Sequence, residues 1–417
     1  MSSCSWPTSS LGEAVNHRRI VHPGMADVAF NCAITEIGDQ IFLAYREFEQ
    51  RSRIVVCQVN VSLECVLKKR LTSVDLPYCG ESTGCEDPRL FEHDDALWVS
   101  FSVVNPATHP PGIYLALARF DRNFAVVRTG IFPSLQPIEK NWQFFSHHRK
   151  LFAVHTICPH RILEIDDTKF DARFRFQSAW MSPWPAGEMR GGTPPIRRGE
   201  KFESFFHSSH ISPTGQIRYV VGMYAFRAAP PFEVQEISTV LFEPSPENLD
   251  PKAVVFPCGA IVRGESWWLS YGLDDRYLCL ARFPDVALGT FRKSVGEWKP
   301  ASQQQKRAIS VLCSGKWEFF KTKHCGSPQL QFSGDGGVDT LAGNLWGQWR
   351  VVDKAQPPTI DLIEHGNAVA RLELVGDRWL GRLTGGRIVA LLPRRNSHPK
   401  AETFWHAALR SRISKLR

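Results

Sequence analysis

The sequence has no Cys-x-x-Cys pair, although it carries eleven cysteines in 417 residues. Their odd number, and positions inside apolar strand-like stretches such as Ile54-Val55-Val56-Cys57, argue against a disulfide framework and for buried thiols in a reducing compartment. No run approaches the roughly 18 apolar residues of a membrane span, and His17, Arg18 and Arg19 stand where a signal peptide would need an apolar stretch, so the expected location is cytoplasmic. There is no phosphate-cradling glycine loop and no helix-borne basic patch, so neither a nucleotide-binding fold nor a nucleic-acid partner is expected. The pairs His147-His148 and His207-Ser208-Ser209-His210 lack the acidic or cysteine spacing of a metal site, and Ser208 and Ser209 lack a nucleophile elbow. No metal and no cofactor are expected.

Amphipathic helical pattern is nearly absent too, while aromatics are plentiful, with 13 Trp and 27 Phe. Aromatic side chains suit strands, and they also suit sugar sites, where a ring covers the apolar face of a pyranose. One short pattern recurs five times. Its second strands read Ile41-Phe42-Leu43-Ala44-Tyr45, Leu97-Trp98-Val99-Ser100-Phe101, Leu151-Phe152-Ala153-Val154-His155, Phe202-Glu203-Ser204-Phe205-Phe206-His207 and Trp267-Trp268-Leu269-Ser270-Tyr271. Their last residues lie 56, 54, 52 and 64 positions apart. A turn precedes each (Gly38-Asp39, Asp94-Asp95, Arg149-Lys150, Gly199-Glu200, Gly264-Glu265), and a third strand follows at 53–59, 113–120, 161–165, 218–226 and 276–283. A β-sandwich would show shorter, more even spacing, so the pattern predicts an all-β fold, a five-bladed β-propeller over residues 26–298.

In such a blade the start of the first strand and the end of the second share a rim. Strand-one starts supply Asn31, Glu86-Asp87-Pro88-Arg89, Lys140-Asn141, Gly192-Thr193-Pro194-Pro195 and Phe256-Pro257-Cys258-Gly259; strand-two ends supply Arg46, His155, His207 with His210, and Tyr271 with Asp275. One mouth thus gathers carboxylates, cations and histidines. Within it, the Pro-stiffened Glu86-Asp87-Pro88-Arg89 can fix a carboxylate beside a cation.

Gly84-Cys85-Glu86-Asp87-Pro88-Arg89, Lys140-Asn141, the His155 strand, Gly192-Thr193-Pro194-Pro195-Ile196, the His207 strand, and Val255-Phe256-Pro257-Cys258-Gly259 followed by Tyr271-Gly272-Leu273-Asp274-Asp275 occur in that order. In this the chain resembles glycoside hydrolase family 130, mannoside phosphorylases and hydrolases on a five-bladed propeller, and the related glycosyltransferase family 108, over about residues 26–295. The resemblance implies that Asp87 is the general acid, acting through a hydroxyl of the bound mannose with inversion. It implies sugar contacts from Arg46, Glu86, Arg89, Lys140, Asn141, His155, His207, Tyr271 and Asp275, and a phosphate site from Arg46, Lys140, Arg190, His207 and Tyr219. Two departures weaken that site: His155-Thr156 stands where the family usually has His-Arg, and Glu188 where it often has Lys, although Arg190 lies two residues on.

The expected function is therefore transfer of a mannosyl unit by a β-mannoside phosphorylase or mannosyltransferase. The expected partners are a mannose-containing oligosaccharide or glycan and inorganic phosphate or a sugar phosphate. An inverting hydrolase, with Glu47, Glu49 or Asp275 as base, and a non-catalytic glycan-binding propeller are the alternatives. Beyond a polar linker at 301–306, residues 316–395 read as a small β-rich module with Trp346, Trp349 and Trp379. Residues 401–417 read as a basic helical tail, which docks onto the body or lies on a membrane surface and accounts for part of the net charge of +8.

Overall fold

In the computed structural model the chain divides into two compact units, Met1–Trp298 and Lys299–Arg417. The first is described for residues 6–295 except 12–13, 23–24, 49–51, 73–74, 77–83, 106–111, 134–138, 159, 179, 181–183, 185, 187–188, 212–215 and 249. In the second, the description covers the backbone of strands between 316 and 393 and a few side chains. The linker at 301–306 and the tail at 401–417 lie outside the described residues.

The first unit is built from antiparallel sheets in a propeller-like ring. Four sheets have four strands each. In chain order the first holds Val28–Ile37, Gln40–Phe48, Ser52–Val59 and Cys65–Arg70; the second runs from Gly84–His93 to Val126–Ile131; the third from Gln143–His147 to Asp171–Ser178. The last joins Val255–Arg263, Ser266–Leu273 and Tyr277–Pro284 to an N-terminal strand, Asn16–Arg19. Between the third and last sheets comes a larger sheet of nine strands, centred on Lys201–Ile211 and Ile217–Arg227. The ring closes through the inner strands: Val28–Ile37 touches both Gly84–His93 and Val255–Arg263, Gly84–His93 touches Gln143–His147, Lys150–Thr156 touches Arg190–Gly191, and Lys201–Ile211 touches Val255–Arg263.

This packing explains why the second strands are apolar throughout instead of alternating. Along Gln40–Phe48, Ile41, Leu43 and Tyr45 enter a cluster with Ile261, Trp268 and Leu280 of the last sheet. Phe42 and Ala44, pointing the other way, enter a cluster with Leu90, Val99 and Phe101 of the second. Both faces of the sheet are buried, so both side-chain sets are hydrophobic. Trp98, Trp142 and Trp267 are each no more than 1% exposed, and burial of a large apolar side chain is worth about 1.5–3 kcal/mol.

Tight hairpins join the first and second strands. At Asp94-Asp95 and at His148-Arg149 both turn residues have positive φ, the geometry that matches strand twist. The third hairpin turns one residue earlier than the sequence suggested, because His147 pairs with Lys150. Residues ahead of 26 also enter the ring: Asn16–Arg19 pairs with Tyr277–Pro284, and Thr8–Ser9 with Phe242–Glu243.

The second unit contains a closed barrel of eight strands, from Lys316–Lys321 to Ile388–Pro393, with the first pairing the last. Ile360 and Leu372 face each other across two strands and are fully buried. Trp346 and Trp349 lie on Leu345–Val351, and Trp379 on Arg378–Leu383.

Candidate active site

The inner strands break their ladders near their starts. Register shifts fall between Phe30 and Ala33, between Glu86 and Arg89, and between Pro257 and Gly259. In the first two bulges Asn31 (φ 55°) and Asp87 (φ 54°) are left-handed, and Asn141, just before the third inner strand, has φ 64°. Asn and Asp tolerate this backbone better than other non-glycine residues, and a bulge re-aims its side chain. Asn31 Nδ2 donates to Asp87 Oδ1 at 2.7 Å, and both residues are buried. Gly272 makes room for this pair, since a Cβ there would lie 2.1 Å from Asn31 Oδ1.

Around Asp87 the charges are mutually paired. Arg46 Nη1 lies 3.9 Å from Asp87 Oδ1, while its Nη2 donates to Glu86 Oε1 at 2.7 Å; Lys140 Nζ donates to Glu86 Oε2 at 3.1 Å. Arg89, 2% exposed, donates to the carbonyls of Gly192 (2.6 Å), Gly191 (3.2 Å) and Asp87 (3.0 Å) and to Asn141 Oδ1 (2.9 Å). It ties three inner segments together and has little left for a ligand.

A second group forms where the large sheet meets the last. Arg190 pairs with His207 in the backbone ladder, and its Nη2 donates to Ser209 Oγ at 2.7 Å. His207 is buried, nearly parallel to Tyr219 at 6.0 Å between ring centroids and 4.4 Å from Phe256. Burial, with help from Arg190 and Arg89, pushes its pKa well below the usual value, so it is neutral at pH 7. The Arg190 guanidinium and Lys252 ammonium lie 5.2 and 5.4 Å from the Tyr219 ring centre, within cation–π range. Lys252 Nζ also donates to Asp275 Oδ2 at 2.9 Å. Burial works against the Lys252 charge, but Asp275, Tyr219 and Asp87 outweigh it and hold the pKa above the ordinary value.

The two groups adjoin through Phe256: the Arg89 guanidinium lies 5.5 Å from its ring centre, and the His207 ring packs against it at 4.4 Å. Burial raises the Cys258 thiol pKa, with Arg89 opposing and Asp87 and Asp275 adding to the rise. A cavity of about 820 Å³ lies at the other end of the same inner strands, lined by Glu36, Arg197, Arg198, Asp285 and Arg292 among others. Its charges largely answer one another: Arg198 is bidentate to Asp285, and Arg292 meets Glu203 and Asp285. That leaves a braced hairpin end whose cations are spent on carboxylates. Among the described residues no group of three or more His, Cys, Asp or Glu could hold a metal ion.

The sequence model of glycoside hydrolase family 130, described as β-1,4-mannooligosaccharide phosphorylase, matches residues 11–288. The chain belongs to family 130. It is thereby a carbohydrate-active enzyme of the mannosyl-transferring kind. No curated protein matches the sequence. Similar solved structures include the β-1,2-mannobiose phosphorylase of Listeria innocua bound to β-1,2-mannobiose, at 16% identity and TM-score 0.47, covering 68% of this chain and 97% of that one. A mannose phosphorylase of Leishmania mexicana, MPT-4, in complex with phosphate, is 13% identical with TM-score 0.46, covering 67% and 91%. MPT-1, a GDP-Man-dependent mannosyltransferase of the same organism, is 13% identical with TM-score 0.44, covering 64% and 90%. The assignment rests on the family match.

For this family 130 member the structure brings together Arg46, Glu86, Asp87, Arg89, Lys140 and Asn141 on one side, and Arg190, His207, Tyr219 and Asp275 on the other. Two expected residues have their contacts elsewhere. Tyr271 is 1% exposed and meets His17 Nδ1 through its hydroxyl at 2.8 Å. It shares its strand face with Trp267, Leu269 and Leu273, and that face packs on the large sheet. His155 Nε2 lies 3.4 Å from buried Glu139, with its ring against Trp142 and Phe174. A rim position fixes height along a strand, whereas alternation fixes which way the side chain points. Glu47, next to Arg46 but facing away, is taken by Lys68 and Arg70; Glu49 and Glu188 lie outside the described residues. Lys252 was missed by sequence reasoning, and its only signal is a cation just ahead of the apolar run Ala253-Val254-Val255-Phe256.

Proposed function

We propose that the first unit is a five-bladed propeller, with the nine-stranded sheet as its fourth blade, that transfers a mannosyl unit with inversion between a mannose-containing oligosaccharide or glycan and a phosphate-bearing partner. Residues 26–298 carry the reaction, and 316–395 form a separate β module. The observation that carries the reading is Asp87, held by its bulge and by Asn31 and, across Arg89 and Phe256, next to a group rich in cations: Arg190 and Lys252 beside neutral His207. Protonated Asp87 gives its proton to the departing glycosidic oxygen, through a hydroxyl of the mannose. A phosphate oxygen, held by the cations on the opposite face, forms the new bond to the anomeric carbon as the old one breaks. The product is mannose 1-phosphate, and the reverse reaction extends an acceptor and releases phosphate.

The test is incubation with mannose 1-phosphate and mannooligosaccharide acceptors, reading released phosphate, with Asp87→Asn in parallel. Phosphate release that Asp87→Asn abolishes supports transfer. Cleavage of mannosides by water alone, indifferent to phosphate, overturns it. A hydrolase is the second reading, and it draws on Asp275, the acid that acts on the same neighbours as Asp87 and is 43% exposed to solvent. Unchanged glycan binding by wild type and Asp87→Asn, without turnover by either, identifies a binding module.

A further inference from the structure

We propose that the Lys252–Asp275 pair couples the two halves of the site: Lys252 grips a phosphate group, and Asp275 holds Lys252 until sugar hydroxyls engage that carboxylate. This rests on the mannosyl-transfer reading for the sugar and goes beyond it in naming Lys252 and its coupling. Lys252 begins a two-residue strand, Lys252–Ala253, that runs parallel to Ile217–Arg227 and leads into Val255–Arg263. The same turn fixes its partner. Asp274 accepts from the Val254 amide and from Asn248 Nδ2, both at 3.0 Å, so Asp274 anchors the backbone while Asp275 points out beside Lys252.

The pair is poised to exchange partners. Its side chains are 49% and 43% exposed, and an ion pair so open to water is weak. An ammonium carries three N–H donors, and Asp275 is the one hydrogen-bond acceptor seen for Lys252 among the described residues. Lys252 and Arg190 both lie within 5.4 Å of the Tyr219 ring centre, and that ring stacks on His207, so two cations and a neutral imidazole gather around one tyrosine. An empty site in which Asp275 neutralises Lys252 holds phosphate poorly. Once sugar hydroxyls donate to Asp275, the Lys252 donors are released to the anion, and sugar and phosphate bind cooperatively.

Titration of the full chain with inorganic phosphate, by calorimetry with and without mannose, which fills the sugar site but has no glycosidic bond to cleave, tests this. Lys252→Met weakens phosphate binding by about tenfold or more, as expected for a lost charge-assisted hydrogen bond, while Lys252→Arg stays within roughly threefold of wild type. Asp275→Asn tightens phosphate binding about threefold without sugar, and that gain disappears in the double variant. Mannose strengthens phosphate binding in wild type and not in Asp275→Asn. Lys252→Met binding phosphate like wild type, or Asp275→Asn acting equally in both backgrounds, overturns the proposal. Mannose 1-phosphate and a nucleoside diphosphate-mannose, titrated likewise, show which phosphate source Lys252 serves. The two readings fail separately. Phosphate binding with this pattern but no mannosyl transfer sinks the transfer reading alone, whereas mannosyl transfer to and from phosphate by a Lys252→Met variant that binds phosphate like wild type sinks the Lys252 role alone.

Discussion

On the Asp87 side of the mouth, Glu86 takes both Arg46 and Lys140, and Arg89 gives its donors to three backbone carbonyls and Asn141. On the Tyr219 side, Arg190 has a serine hydroxyl and Lys252 a half-exposed carboxylate. Both sides are basic in sequence, yet on the first the cations are spent on the protein, and on the second they stay available. A count of arginines and lysines therefore locates the mouth but not the anion. The proposed division of work follows that difference, with proton transfer and bracing beside Asp87 and anion binding beside Tyr219.

The sharpest way to break this division is at the acid. Asp87→Asn should lower kcat by about 10²–10⁴-fold, the usual worth of a general acid, with little change in melting temperature; full activity would remove Asp87 from the chemistry. Arg89→Met should cost about 3 kcal/mol of stability in denaturant unfolding, because it strands buried carbonyls. Arg190→Gln, across the mouth, should leave the midpoint nearly fixed and weaken phosphate binding about tenfold. Equal stability losses in both would erase the contrast. Glu86→Gln frees Arg46 and Lys140 and should tighten phosphate binding about threefold, a modest gain because these side chains are partly solvated. The smallest effect concerns His17, whose pKa burial lowers from 6.5 to about 4. Below pH 6.5 the unfolded chain binds the proton and the folded one resists it, so stability should fall as pH drops from 6.5 towards 4. A His17→Gln variant should lose less of its melting temperature over that range.

Much of this was legible in the chain. Apolar second strands, ending in Tyr45, Phe101, His155, His207 and Tyr271, marked the sheets because burial on two faces leaves no polar alternation to confuse the period. Asp87 and Asn141 stood out in the sequence at the starts of inner strands, where both have a left-handed backbone. Tyr271 was misjudged because strand height was read without parity: its neighbours two residues away, Leu269 and Leu273, pack in the same core. Arg89 looked like a ligand cation because nothing local tells that its partners, Gly191, Gly192 and Asn141, lie 52 to 103 residues away. Lys252 went unnoticed for the same reason, since Tyr219 and Asp275 make it interesting and both are distant in sequence.

The strand Asn16–Arg19 lies against Tyr277–Pro284, which makes a segment wait for its partner until the rest of the ring has been synthesised. A chain emerging from the ribosome must carry that short piece unsatisfied while some 260 further residues appear, with the cost of bringing distant segments together falling where the ring closes. Cutting the chain between Arg19 and Val28 would therefore trade a covalent tether for a dissociable one. The released peptide, added back in excess, should act as a latch whose concentration sets how much of the ring is shut.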